Sequence, residues 1–259
     1  WSRYAMNNDI NQDVAKELVS QTAGKAYNDV AHPTAYATGQ ILSFIPRTIK
    51  VWLGKWEKWI LTGEHSIKET ELLLAEKLKH IPEEKIVEPE PYVAVPALQQ
   101  MSYSFDSKEL RELYANLLAS SMNIDTKYDV HPAFVDIIKQ LTPDEAKLLR
   151  YFSKQEVIPA VSIHLKAASG KGYTVLKEIH VLIPDNILSV PQSVEVYIQN
   201  LIRLKFLDIP SGTYYTTDSL YTTIEESVNY AGISKEQIAF ERMVINITSF
   251  GKQFIKMCQ

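Results

Sequence analysis

Cysteine is nearly absent from this 259-residue chain: there is one, Cys258, beside the last residue. A single thiol excludes an internal disulfide and any zinc cage built on several thiolates, and it fits a reducing compartment. A surplus of positive charge is missing too. Lysine and arginine total 27 against 31 acidic residues, a net of −4, so no overall basic field points to nucleic acid or anionic lipid. No stretch reaches about 18 uninterrupted apolar residues, which speaks against a conventional membrane span. No internal repeat of about 20 to 50 residues is found, which excludes a solenoid. What is present is ordinary for a folded protein: 46% apolar and 22% charged residues. The length suffices for one large domain or two small ones. Trp1–Ala5, ahead of Met6, has no apolar run of the kind a leader peptide carries and is set aside.

Motifs that would define a reaction are missing as well. The six histidines, His32, His65, His80, His131, His164 and His180, form no H-x-x-x-H pair, and no cysteine lies near any of them. His32 and His131 each precede proline and suit turns; His164 and His180 could approach one another only if their strands pair. Ser169-Gly170-Lys171-Gly172 lacks the first glycine and the final hydroxyl of a phosphate loop, so it predicts a turn. No G-x-S-x-G elbow occurs. The pairs Glu83-Glu84 and Glu225-Glu226 sit in polar stretches and suit solvated faces. A non-enzymatic protein is therefore expected, with no catalytic residue, cofactor, metal or small-molecule substrate.

Helical spacing dominates the first half. Ile10, Val14, Leu18 and Val19 predict a helix within 9–30, and a longer pattern covers 35–61 with a break or kink at Pro46. Ser66-Ile67-Lys68-Glu69 has the form of a capping box opening a helix whose apolar side is Ile67, Leu74, Leu78 and Ile81. Pro82, Pro89, Pro91 and Pro96 interleave with four glutamates and predict an extended surface connector. Leu110, Leu113, Tyr114, Leu117 and Leu118 predict a helix over 107–121, with Asp106 and Glu109 as a second capping box. His131-Pro132 begins a shorter helix with Phe134, Ile137, Ile138 and Leu141. Thr142-Pro143-Asp144-Glu145 is a helix start, with a threonine cap, proline in the first turn and two acids at the positive end of the macrodipole.

The texture changes after about 157. Residues 157–183 suit short strands or an irregular connection, and Pro191 opens a helix through Val194, Tyr197, Ile198, Leu201 and Ile202. Phe206–Ile209, the turn Pro210-Ser211-Gly212 and Thr213–Thr217 predict a hairpin-like wing. Val244–Ile247 is β-branched, and Thr248-Ser249 caps a last helix carrying Phe250, Phe254 and Met257. The expected fold is mostly α (α+β): a helical N-terminal domain and a winged-helix-like C-terminal domain with a small antiparallel sheet. The expected divisions are a helical region 6–81, a proline-rich connector 82–106, central helices 107–141 and a winged-helix-like domain 142–259 with an insertion at about 218–242.

Five phrases resemble the abortive infection alpha (Abi-alpha) family of bacterial proteins. They are the stretch from Glu109 to Met122 (Glu-Leu-Arg-Glu-Leu-Tyr-Ala-Asn-Leu-Leu-Ala-Ser-Ser-Met), His131-Pro132-Ala133-Phe134-Val135, and Gln140-Leu141-Thr142-Pro143-Asp144-Glu145-Ala146. Tyr197-Ile198-Gln199-Asn200-Leu201 and the stretch from Thr248 to Phe254 complete the set. The resemblance covers 80–259 loosely and 105–150 closely. It implies a part in phage defence and supplies no catalytic residues.

Two features bear on partners. Ile45, Ile49, Trp52, Trp56 and Trp59 fall on one narrow helical stripe, widened by Leu53 and Ile60. Arg47, Lys50 and Lys58 lie opposite, with Lys55 at the margin and Glu57 beside them. That is the pattern of an interfacial membrane helix. The favoured reading is a core helix packed on the 66–80 and 107–121 helices or a subunit contact, ahead of membrane or partner recognition. A winged helix raises DNA binding, yet residues 143–259 hold 12 basic and 12 acidic residues, a net of zero. The expected recognition helix, about 191–204, has only Glu195 and Arg203 as charges, where a DNA reader offers several cations. The expectation is a phage-defence protein working in the cytoplasm through a protein partner or self-association. The alternatives are a peripheral effector at the inner face of the cell membrane and, less favoured, a DNA regulator.

Overall fold

The computed structural model describes residues 64–259 except Phe105, Ser169 and Gly170, with side chains from Thr70 onward apart from Ser102. The helices expected within 9–61, and the tryptophan stripe with them, lie outside the described residues. Helix α1 (Glu64–Leu78) is followed by α2 (Pro91–Tyr103), α3 (Lys108–Ser121), α4 (Ala133–Ile138) and α5 (Pro143–Phe152). Strands β1 (Pro159–Lys166) and β2 (Tyr173–His180) come next, then α6 (Val194–Arg203), β3 (Leu207–Asp208) and α7 (Ser219–Ser227). Strands β4 (Ile238–Val244) and β5 (Asn246–Ile247) precede the last helix, α8 (Ser249–Cys258).

Helix α3 lies at the centre of the helical part and touches α1, α2, α4, α5 and α8. Its expected apolar positions Leu113, Tyr114, Leu117 and Leu118 are all buried, joined by Ala115 and Ala119. The small side chains let the neighbours approach closely. The cap is Ser107, whose hydroxyl accepts from the N–H of Leu110. The expected Asp106–Glu109 capping box is therefore replaced by a single serine cap one residue later. Ser66 likewise does not open α1, since the helix already runs at Glu64.

The proline-rich segment corrects the expectation of an extended connector, because residues 91–103 are helical. Pro91 occupies the first turn, where its missing N–H has no intrahelical partner to lose. Pro96 stands inside α2 and leaves the carbonyl of Tyr92 without its i+4 donor, on a residue 61% exposed. Val93, Ala94, Ala97, Leu98 and Met101 make a buried face. Burial of that face outweighs the proline penalty; ahead of it, residues 82–90 remain non-helical apart from one 3₁₀ turn, Glu83–Lys85.

The small sheet has the order β2-β1-β4, all antiparallel. Alternation along β1 sends Val161 and Ile163 to a cluster with Tyr221, Ile224, Val228 and Ile238, while Ala160 joins the main core. The C-terminal half is thus winged-helix-like on a mostly helical body, as expected. The hairpin, however, is β1–β2, ahead of α6, with Gly172 at φ +94° completing its turn. Pro210–Gly212 does form a turn, with Gly212 at φ +66°. The expected returning strand Thr213–Thr217 is irregular, because the N–H of Tyr215 is taken by the Tyr221 hydroxyl. β3 pairs instead with β5. The segment 218–242, expected as an insertion, supplies α7 and most of β4, and α7 packs on β1.

One hydrophobic cluster runs from Leu74 through the helices to Cys258. At its lower end Phe206 stacks on Phe254, with centroids 4.3 Å apart, and Phe134 meets Phe254 edge-on at 5.3 Å. The N–H of Thr248 donates to the Phe206 carbonyl at 3.0 Å, and the Thr248 hydroxyl caps α8 by accepting from Gly251. Helix α6 ends at Arg203 with Leu204 as its cap, and Lys205 just beyond adopts φ +63° without being glycine.

Candidate interaction site

The phrases that carry the family resemblance meet one another in space. Thr142 and Glu145 make a full capping box at the start of α5: the threonine hydroxyl accepts from the N–H of Glu145, and the glutamate accepts from the N–H of Thr142. Both acids of this start are buried, which periodicity did not indicate. Glu145 also accepts from the Asn200 amide at 2.7 Å, tying α5 to α6.

Asp144 is the second tie. Its carboxylate accepts from the N–H of Ser189 at 2.9 and 3.0 Å, the N–H of Val190 at 2.9 Å and the Lys147 ammonium at 3.2 Å. The Tyr197 hydroxyl donates to it at 3.4 Å. Burial by itself would raise the carboxyl's pKa. The Ser189 and Val190 amides, with Lys147 and the Ser189 hydroxyl, outweigh burial and lower it to about 2. Such a carboxylate is fully ionised and saturated with donors, which makes it a clamp and a poor general base.

The remaining phrases join at the other end. Asn116 and Ser120 of α3 donate to the carbonyls of Cys258 and Met257, closing the C-terminus of α8. His131, Phe134 and Phe250 pack as an aromatic group. Cys258 is fully buried, and burial pushes its thiol well above the ordinary value, so this sulfur is inert core. The resembling residues are internal joints between elements.

His164 and His180 do lie on paired strands, but His180 stands opposite Val161 and His164 opposite Val175. The ladder keeps them apart. Burial, and then the Lys177 charge, hold the imidazole of His180 below its usual pKa. Among the described residues no group of histidines, cysteines and acids could hold a metal ion. No described helix is long and apolar enough to cross a membrane. In α6, Glu195 accepts from the backbone of Glu178 and Ile179, while Arg203 is held by Asn200 and Gln140. Both charges of the expected recognition helix are occupied within the protein.

Among the described residues, an open trough runs beside α8. One end, with a cavity volume of about 480 Å³, lies between the end of α5, the strand ends at Ile245–Ile247, Tyr215 and α8. The other, about 370 Å³, lies between α1, α3, α5 and the C-terminus of α8. The two meet at Ser153 and Ile255. Lys77, Arg150, Lys154, Lys252 and Lys256 line it against two acids, Glu112 and Glu156. Sequence reasoning missed this surface because its residues come from four helices and a strand end. The one local signal was the i, i+3, i+4 spacing of Lys252, Ile255 and Lys256, which puts them on one side of α8. The candidate surface expected from sequence, Ile45, Ile49, Trp52, Trp56, Trp59, Arg47, Lys50 and Lys58, lies outside the described residues.

A solved structure, an uncharacterized protein from the hydrocarbon-degrading marine bacterium Alcanivorax borkumensis SK2, aligns with 16% identity and a TM-score of 0.33. It covers 48% of this chain and 90% of its own. No curated protein matches the chain. The model of the family described as abortive infection alpha matches residues 62–258, nearly the whole described body. The chain belongs to the abortive infection alpha family, whose place is phage defence through protein contacts rather than catalysis.

Proposed function

We propose that the protein acts in the cytoplasm as the binding component of an abortive-infection response, holding a partner protein on the exposed face of its folded body. The family match over 62–258 carries this reading. The use of the family-like residues as internal joints supports it, because it leaves recognition to the outer surface. Self-association is the alternative partner choice and would show as a concentration-dependent mass in sedimentation. Phages plated on expressing and non-expressing cells test the function. Plaque numbers are expected to fall on expressing cells for a subset of a broad panel, and equal plating throughout would overturn the reading.

The tryptophan stripe favours a second reading, peripheral contact with the inner face of the cell membrane. Flotation of the full chain with anionic and neutral liposomes tests it. Binding to anionic vesicles is expected, and is expected to be lost when Trp52, Trp56 and Trp59 are all replaced by alanine. A folded wild-type protein that stays at the bottom of the gradient would rule this contact out for the resting protein.

A further inference from the structure

We infer that the trough beside α8 binds an acidic segment of a partner protein that also carries apolar side chains, an inference that rests on the protein-binding reading above. Its floor is apolar at the larger end, beside Lys252 and Lys256, whereas the smaller end, with Lys77 and Lys154, has Ile255 as its one apolar residue among those described. Ile158 and Ile245 are buried beneath the larger end, and Ile247, Ile255 and Tyr215 are half-buried along it. Its rim is basic on a chain whose net charge is −4. Arg150 is paired with Glu112 at 3.4 Å, and Lys256 with Asp129 at 2.8 Å. That leaves Lys77, Lys154 and Lys252, which make no ion pair among the described residues, facing the single acid Glu156.

Charge of one sign, gathered where the rest of the molecule carries the other, selects an oppositely charged partner and speeds its approach. The floor decides what kind of anion fits. Isoleucines offer burial to aliphatic side chains, whereas single-stranded nucleic acid needs a row of aromatic faces on which to stack bases. Among the described residues of this lining, Tyr215 is the only aromatic. A free phosphate or other small anion would use the rim and leave the floor idle. An acidic peptide with leucine or isoleucine at intervals uses both.

The test uses the full chain and a soluble fluorescein-labelled peptide in which glutamates alternate with leucine and serine, followed by fluorescence anisotropy. Saturable binding is expected, weakening as salt rises. The paired substitutions Lys154→Glu and Lys252→Glu are expected to weaken it by about tenfold or more, whereas Lys139→Glu, outside the trough, leaves it unchanged. Lys154 and Lys252 are exposed and unpaired among the described residues, so an unchanged unfolding midpoint will confirm that the double variant is folded. Replacing the peptide's glutamates with glutamine is expected to abolish binding. No binding by the wild type, or binding indifferent to the double variant, would overturn the inference. So would a single-stranded oligonucleotide of equal charge binding more tightly than the peptide and losing that binding in the same variant. The plating assay separates the two levels. Peptide binding without protection against any phage keeps the site and removes the defence reading. Protection by the wild type, with no peptide binding by that same wild-type chain, does the reverse.

Discussion

Replacing Gly251 by alanine is expected to destabilise the protein by about 3 kcal/mol, although alanine is the better helix former by about 1 kcal/mol. Gly251 sits in the first turn of α8, facing the strand end that carries Phe206. A β-carbon there would overlap the Phe206 carbonyl oxygen and press on the Ile247 side chain at 3.1 Å. The overlapped atom is backbone, so no side-chain rotation relieves it. It is also the acceptor for the N–H of Thr248. Helix α8 must move away, which loosens that hydrogen bond and the Phe206–Phe254 stack together. In a body of this size the cost corresponds to a fall in Tm of roughly 6 to 12 °C. An unchanged or raised Tm would show that α8 does not approach β3 so closely.

Asp144→Ala is expected to cost a similar amount, about 3 kcal/mol, for a different reason. It leaves the N–H groups of Ser189 and Val190 facing a partly buried site without an acceptor, and it frees the segment leading into α6. Asp144→Asn keeps one acceptor oxygen and should fall between wild type and alanine.

The charge also gives a pH signature. A carboxyl at about 2 in the folded protein, against about 4 unfolded, stabilises the fold in full above the unfolded value. That contribution is lost as pH falls through about 4 towards 2. Urea unfolding of wild type and Asp144→Asn, compared at pH 7 and near pH 2, cancels the carboxylates common to both. Their stability gap should shrink by about 2 kcal/mol on acidification. A gap that stays constant would mean the clamp works through shape alone.

Both positions show where reading along the chain reaches its end. The start Thr142-Pro143-Asp144-Glu145 was legible because capping is local: hydroxyl, proline and acids act within one turn. The burial of its two acids was not, since the groups that satisfy them lie 45 to 55 residues further on. Gly251 carried no signal at all. Its φ is ordinary, and the reason for glycine is the backbone of Phe206, just ahead of β3, lying across it.

The sequence by itself determined the helix positions with clear apolar periodicity, the caps at Thr142 and Thr248, and the family. These depend on spacing within a turn or two and on residue identity. Three things were decided only by the tertiary structure. Residues 91–103 became helical because burying one face outweighs an internal proline. β3 took β5 rather than 213–217 because the Tyr221 hydroxyl occupies the backbone of Tyr215. The basic trough exists because folding brings Lys77, Lys154 and Lys252 together from three helix ends. Each depends on groups far apart in the chain, which no local pattern of residues encodes.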